Sequence, residues 1–137
     1  MNVVDSSCWI EFAEDSPVKK WIAPIIENLD DLLVPTIVLY EVYKKLSATK
    51  GAAYADKFAK GMLNAEIIPL DPELSLIAAN ISQKYKLPMA DSIIYATTKQ
   101  HNAVLWTTDQ HFDGLPNVRY FESVASKWLF LPCSCLV

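Results

Sequence analysis

Apolar positions along this chain follow two alternating rhythms. Short β-branched or aliphatic runs stand at Val3-Val4, Leu32-Leu33-Val34, Ile67-Ile68, Ala103-Val104-Leu105-Trp106 and Val118-Arg119-Tyr120-Phe121. Each is too short for a helix and is bounded by polar or turn-forming residues, so each predicts a strand. The stretches between them carry apolar residues at helical spacing. Ser6 or Ser7 is placed to cap a helix holding Cys8, Trp9, Ile10 and Phe12. Pro17 opens a helical pattern with Val18, Trp21, Ile22, Ile25 and Ile26 as its apolar face. Thr36 is the candidate N-cap of a helix reaching about Thr49, which Gly51 breaks. Residues 52–63 restart it, with Tyr54, Phe58, Met62 and Leu63 at helical spacing. Asp71-Pro72 supplies an N-cap and a first helical residue for a helix that ends before Pro88. Residues 89–101 form the last helix.

Strands alternating with helices predict an α/β domain, with a central, mostly parallel sheet of about five strands flanked by helices. No internal repeat or linker divides the chain, and 137 residues fit one domain. Residues 1–126 read as that domain and residues 127–137 as a tail, which carries no charge from Trp128 to Val137. Trp9, Phe12, Trp21 and Phe58 are expected in the core.

Composition adds limits. The chain is 52% hydrophobic, enough for a packed core, yet no apolar run is long enough to span a bilayer. Its first residues lack the basic region and apolar stretch of a signal peptide, so a cytoplasmic location and no membrane association are expected. The cysteines, Cys8, Cys133 and Cys135, are odd in number and have no matching His or Cys cluster. This pattern argues against a disulfide framework and against zinc. The net charge is −4, which disfavours a phosphate-binding surface. Four carboxylates gathered in one metal site would account for that whole excess.

Four acids stand out. Ligands in open α/β sheets lie beyond the carboxyl ends of the strands. Asp5 follows the first strand, and Asp109 follows the fourth after Thr107 and Thr108. Both are therefore expected on one edge of the sheet. Glu41 lies one turn into a helix, in the apolar run Ile37-Val38-Leu39-Tyr40, where an unpaired buried acid is costly. Asp91 falls in the first turn of the helix that Pro88 opens, where the helix dipole favours an acid. Each acid also has a local explanation. Asp5, Asp91 and Asp109 are each placed to cap a helix or sit at its start, and Glu41 is placed to pair with Lys44 or Lys45. Asp113-Gly114 reads as a turn, His101 as a helix-end residue, and His111 as structural. Lys44, Lys45, Lys84 and Lys86 read as solvated.

The pieces Val3-Val4-Asp5-Ser6-Ser7, Pro35-Thr36 through Glu41, Leu87-Pro88-Met89-Ala90-Asp91-Ser92 and Leu105-Trp106-Thr107-Thr108-Asp109 together resemble the PIN-domain family. Within it they are most similar to the VapC-type toxins of type II toxin–antitoxin pairs. The resemblance runs from residue 1 to about residue 122 in order and spacing; the tail departs from it. It implies an endoribonuclease that cleaves RNA phosphodiester bonds with Mg²⁺, or with Mn²⁺. It places the family's metal-site and catalytic acids on Asp5, Glu41, Asp91 and Asp109, with Ser6 and Thr107 in support. Such an ion would lower the pKa of a water and stabilise charge on the phosphate. The resemblance also implies a VapB-type antitoxin partner and, with the apolar helix faces, a homodimer. A rival class, the aspartyl phosphatases, needs a second Asp where Ser7 stands. The non-enzymatic alternative is an inactive PIN-like module binding a basic partner.

Overall fold

The computed structural model describes residues 1–123. The expected tail at 127–137, the domain limit at 126, Cys133 and Cys135 lie outside the described residues. Five strands, β1 (Asn2–Val4), β2 (Leu32–Pro35), β3 (Glu66–Ile68), β4 (Val104–Thr107) and β5 (Val118–Tyr120), form one sheet. Six helices connect them: α1 (Ser6–Ala13), α2 (Lys19–Glu27), α3 (Thr36–Lys50), α4 (Ala52–Met62), α5 (Pro72–Tyr85) and α6 (Met89–Gln100). The strand order is β3-β2-β1-β4-β5, and every pairing is parallel. Parallel strands require crossovers, and helix pairs supply three of the four. The chain winds outward from β1 to β3, then returns to place β4 on the free side of β1. The seam between β1 and β4 is therefore the point where winding reverses.

The sheet is the buried floor of the domain. Val3, Val4, Leu32, Leu33, Val34 and Leu105 are all inaccessible to solvent. These strands read as continuous apolar runs because helices cover a parallel sheet on both faces. Tyr95 and Phe112 are the largest fully buried side chains, and the Tyr95 hydroxyl donates to the Pro116 carbonyl at 2.8 Å.

Local signals set the helix ends. Asp71 caps α5, its Oδ1 accepting from the Leu74 N–H at 2.8 Å. Gly51 separates α3 from α4 at φ +88°, a conformation that side chains disfavour. At α1 one of two alternatives holds, and at α3 the expected cap falls elsewhere. Asp5, not Ser6 or Ser7, caps α1, and Pro35, not Thr36, occupies the N-cap position of α3. The reason is the same in both places: the strand runs into the helix with no intervening loop. Extended backbone at Asp5 and Pro35 therefore stands directly before the first helical residue.

Trp21 is a correction. Val18, Ile22 and Ile26, four residues apart, take the inward face of α2, and Trp21 is left 59% exposed with Lys20 over its ring. Trp9 is buried, while Phe12 and Phe58 pack against the core. Among the described residues no helix is long and apolar enough to cross a membrane.

Leu105 lies in β4, between β1 and β5, with no exposure. Leu105→Ala is expected to lower stability by about 2–5 kcal/mol in urea melts, as truncation of a buried leucine does. A loss below about 0.5 kcal/mol, the level of a surface change, would show that the sheet is not the core.

Candidate active site

The seam between β1 and β4 carries the chemistry. Asp5 is the first residue beyond β1, and its N–H donates to the Trp106 carbonyl at 2.9 Å, extending the strand pairing by one step. Its carboxylate is 2% exposed and collects three donors. Oδ1 accepts from the Ser6 N–H at 2.9 Å. Oδ2 accepts from Ser7 Oγ at 2.9 Å and from Thr107 Oγ1 at 2.8 Å. Each hydroxyl then works in the other direction. Ser7 Oγ accepts from the Thr108 N–H at 3.1 Å, and Thr107 Oγ1 accepts from the Asp109 N–H at 2.9 Å. One carboxylate thus organises the loop that presents Asp109.

The other acids reach the same cleft from different elements. Because α3 starts without a loop, Glu41 stands less than two turns above the sheet edge, and it accepts a hydrogen bond from Ser6 Oγ at 3.1 Å. Asp91 is in the first turn of α6. Its Oδ2 lies 2.9 Å from His111 Nδ1. Asp109 Oδ1 accepts from the His111 N–H at 2.9 Å and lies 3.2 Å from the same Nδ1. Asp5, Glu41, Asp91 and Asp109 all line one open cleft of about 600 Å³, together with Ser6, Ser7, Tyr40, Lys44 and Lys45. The four acids therefore converge. The closest grouping is Asp91, Asp109 and His111, whose ligand atoms lie within 4.8 Å of one another. Asp5 sits deeper, outside that trio.

Some local explanations hold as well. Asp109 caps the short 3-10 turn Gln110–Phe112, and Asp5 caps α1. Capping and convergence coexist, because a residue that ends a strand at a sheet edge also opens the next helical turn. Glu41 pairs with Ser6, and no ion pair joins it to Lys44 or Lys45 among the described residues.

Electrostatics reflect the crowding. Burial pushes the Asp5 carboxyl up to about 7, against the pull of the Thr107 and Ser7 hydroxyls and with added repulsion from Asp91 and Asp109. Burial, opposed by the Ser6 hydrogen bond and assisted by Asp91 and Asp109, raises Glu41. Asp91 is raised by burial and by Asp109, and His111 only partly offsets this. His111 is itself raised, chiefly by Asp109 and by its bond to Asp91. The imidazole is therefore a partial counter-charge, and the acids remain under-neutralised. Oxygen donors in this state suit a hard divalent cation. Asp91 and Asp109, with Asp5 and Glu41 on the same cleft, are the residues able to hold one.

Sequence reasoning named Asp5, Glu41, Asp91, Asp109, Ser6 and Thr107. Ser7, read from the sequence as a candidate helix cap at the position where a phosphatase would carry a second Asp, has a further role that no local pattern encodes, its hydroxyl donating to Asp5. Sequence reasoning set His111 aside, although it follows Asp109 by two residues, the spacing that brings its N–H onto Asp109.

An all-parallel sheet with acids collected at its reversal point defines a doubly wound α/β domain with an acidic cleft. The chain belongs to the PIN domain family, whose model matches residues 3–117. No match to a curated protein was found. The fold is shared with a toxin–antitoxin complex from Klebsiella pneumoniae, at TM-score 0.71 and 20% identity over 87% of this chain and 96% of that one. It is shared with VapBC2 of Rickettsia felis bound to a promoter DNA fragment, at TM-score 0.68 and 16% identity over 88% and 96%. A sarcin-ricin loop cleaving VapC toxin of Mycobacterium tuberculosis gives TM-score 0.66 and 14% identity over 96% and 97%.

The raised acids set a pH dependence in metal-free protein. Between pH 4 and pH 7 folded Asp5 keeps a proton that the unfolded chain, near the ordinary 3.8, releases. Stability is therefore expected to fall as pH rises through this window, by an upper limit of roughly 4 kcal/mol from Asp5. Glu41, Asp91 and His111 are all raised too. The two acids and the imidazole act with the same sign. Melts in EDTA at pH 5 and pH 8 test this, and Asp5→Asn should flatten the difference. Stability that increases from pH 5 to pH 8 would contradict the assignment.

Proposed function

We propose that this chain is a metal-dependent endoribonuclease and the toxin of a VapBC-type toxin–antitoxin pair. The observation that carries this reading is the convergence of Asp5, Glu41, Asp91 and Asp109 on one cleft at the reversal point of a PIN domain. RNA as substrate is supported by the Mycobacterium tuberculosis neighbour, a sarcin-ricin loop cleaving toxin. An antitoxin partner is supported by neighbours that are toxin–antitoxin complexes.

In this reading Asp5, Asp91 and Asp109 would hold Mg²⁺, or Mn²⁺, directly or through water, with Glu41 beside them. Such an ion would supply positive charge near the phosphate and make a water more acidic. Ser7 and Thr107 fix the Asp5 carboxylate through hydrogen bonds to one oxygen. Ser6 holds Glu41, which orients the attacking water and takes its proton. Water adds to phosphorus as the ester P–O bond breaks, and the leaving oxygen acquires a proton. No Ser, Cys or His nucleophile takes part. Cys8 is buried and its thiol is pushed far up by that burial, which leaves it inert.

Two partner surfaces accompany this reading. Leu70, Leu76 and Met89 are 45%, 71% and 74% exposed, standing before, within and after α5. Such exposed apolar side chains support a homodimer. An apolar groove between α1, α2 and α4, lined by Trp9, Phe12, Ile26, Tyr54, Phe58 and Met62, suits an amphipathic antitoxin helix. An antitoxin Arg or Lys placed beside the acids would neutralise them. Sedimentation is expected to give a dimer, which Leu76→Lys disrupts; monomer at every concentration would remove the dimer.

Asp91→Asn tests the site. It is expected to abolish cleavage of total RNA in Mg²⁺ while leaving metal-free protein as stable as the parent, or more so. Mg²⁺ should stabilise the parent by about 2.7 kcal/mol at a hundredfold excess over its Kd, and the variant much less. A purely structural helix-start acid would give the opposite pattern. The metal-free variant would then lose about 0.3–1 kcal/mol, and both cleavage and the Mg²⁺ increment would persist.

A further inference from the structure

We propose that the α3 wall of the acid cleft is a docking strip for single-stranded RNA. An unstacked base lies on the exposed ring of Tyr40, and Lys44 and Lys45 take the adjoining phosphates. This deepens the endoribonuclease reading and rests on it.

The cleft poses an electrostatic problem that this strip answers. Besides the four converging acids, Glu11 and Glu14 line it, so a polyanion meets a negative wall. Among the described residues, Lys44 and Lys45 are the only cations that line it, and both are exposed. Affinity for a nucleic-acid backbone comes mainly from such cations. Their place on the helix is specific. Tyr40 and Lys44 are one turn apart, and so are Glu41 and Lys45, a rise of about 6 Å in each case. Two neighbouring stripes of α3 thus carry the ring, the acid and both cations into one cleft.

Tyr40 is available for stacking. It is 58% exposed, and its hydroxyl makes no hydrogen bond among the described residues. Lys44 Nζ lies 5.8 Å from the ring centroid, near the outer limit of a cation–π contact, so it holds the ring weakly. Among the described aromatic side chains it is the one that lines this cleft, whereas Tyr54 and Phe58 line the apolar groove. Aromatic platforms bind bases that are splayed out of a helix and tolerate any base, because every base has a π-face. A duplex offers no such face.

The test uses the full chain and a short fluorescein-labelled RNA of random sequence, single-stranded or annealed to its complement. Binding is followed by anisotropy in EDTA, and KM is measured in Mg²⁺. The parent is expected to prefer the single strand. Tyr40→Ala should weaken binding and raise KM by roughly five- to 150-fold, the range for loss of one stacked base. Its kcat should change less, and Tyr40→Phe should restore both values. Lys44→Gln with Lys45→Gln should flatten the dependence of log K on log salt by about 1.4, for two single-strand phosphates. Thermal melts check that these surface changes leave the fold intact. Cleavage that is indifferent to Tyr40, or equal affinity for duplex, overturns the strip while the nuclease reading stands. Binding through Tyr40 without cleavage overturns the nuclease reading and leaves the strip. Neither binding nor cleavage overturns both.

Discussion

A buried carboxylate at the end of β1 is the constraint on which the site depends. Asp5 sits where the sheet reverses its winding, and among the described residues it is held by three hydrogen-bond donors and no cationic side chain. Two of those donors, Ser7 and Thr107, each accept a second bond from a backbone N–H after β4. The geometry of Asp109, and through it of His111, therefore hangs on Asp5. A surface acid would not do this, because water would compete for its hydrogen bonds. Burial makes the arrangement costly and also makes it single-valued.

The remaining acids share that cost. Asp91 and Asp109 approach the same imidazole nitrogen from two elements, and His111 offsets only part of their mutual repulsion. Well-packed strands beneath the site and helices around it supply the stability that such a cluster consumes. Function and folding thus pull in opposite directions at one place, a common pattern where sites are concerned. Raised carboxyls are the electrostatic sign of it.

Much of this was legible in the residues. Val3-Val4 before Asp5, and Ala103-Val104-Leu105-Trp106 ahead of Asp109, read as strands because short continuous apolar runs suit a sheet covered on both faces. The sheet-edge rule then brought both acids together. Glu41 and Asp91 were found through their apolar surroundings, a weaker signal that convergence in space strengthens. Asp5 rather than Ser6 or Ser7 caps α1, and Pro35 displaces Thr36 at the start of α3, because in both places the strand joins the helix directly. Trp21 was misplaced because two helix faces compete for the same spacing, and only packing decides between them. The site roles of His111 and Ser7 were not legible for a different reason. Their roles are hydrogen bonds to a residue brought near by the fold, and no periodicity encodes those.

The joins at Asp5–Ser6 and Pro35–Thr36 have a further consequence. With no slack between sheet and helix, the sequence count from strand to acid acts as a phase. One residue inserted between Pro35 and Glu41 would turn that carboxylate by about 100° around α3 and lift it about 1.5 Å. The chain can absorb such an insertion in the solvent-facing stretch after Phe112, where Asp113, Gly114, Pro116 and Asn117 are exposed. The strand-to-acid counts thus act as fixed gears between backbone and chemistry, each residue along α3 setting a fixed turn and rise.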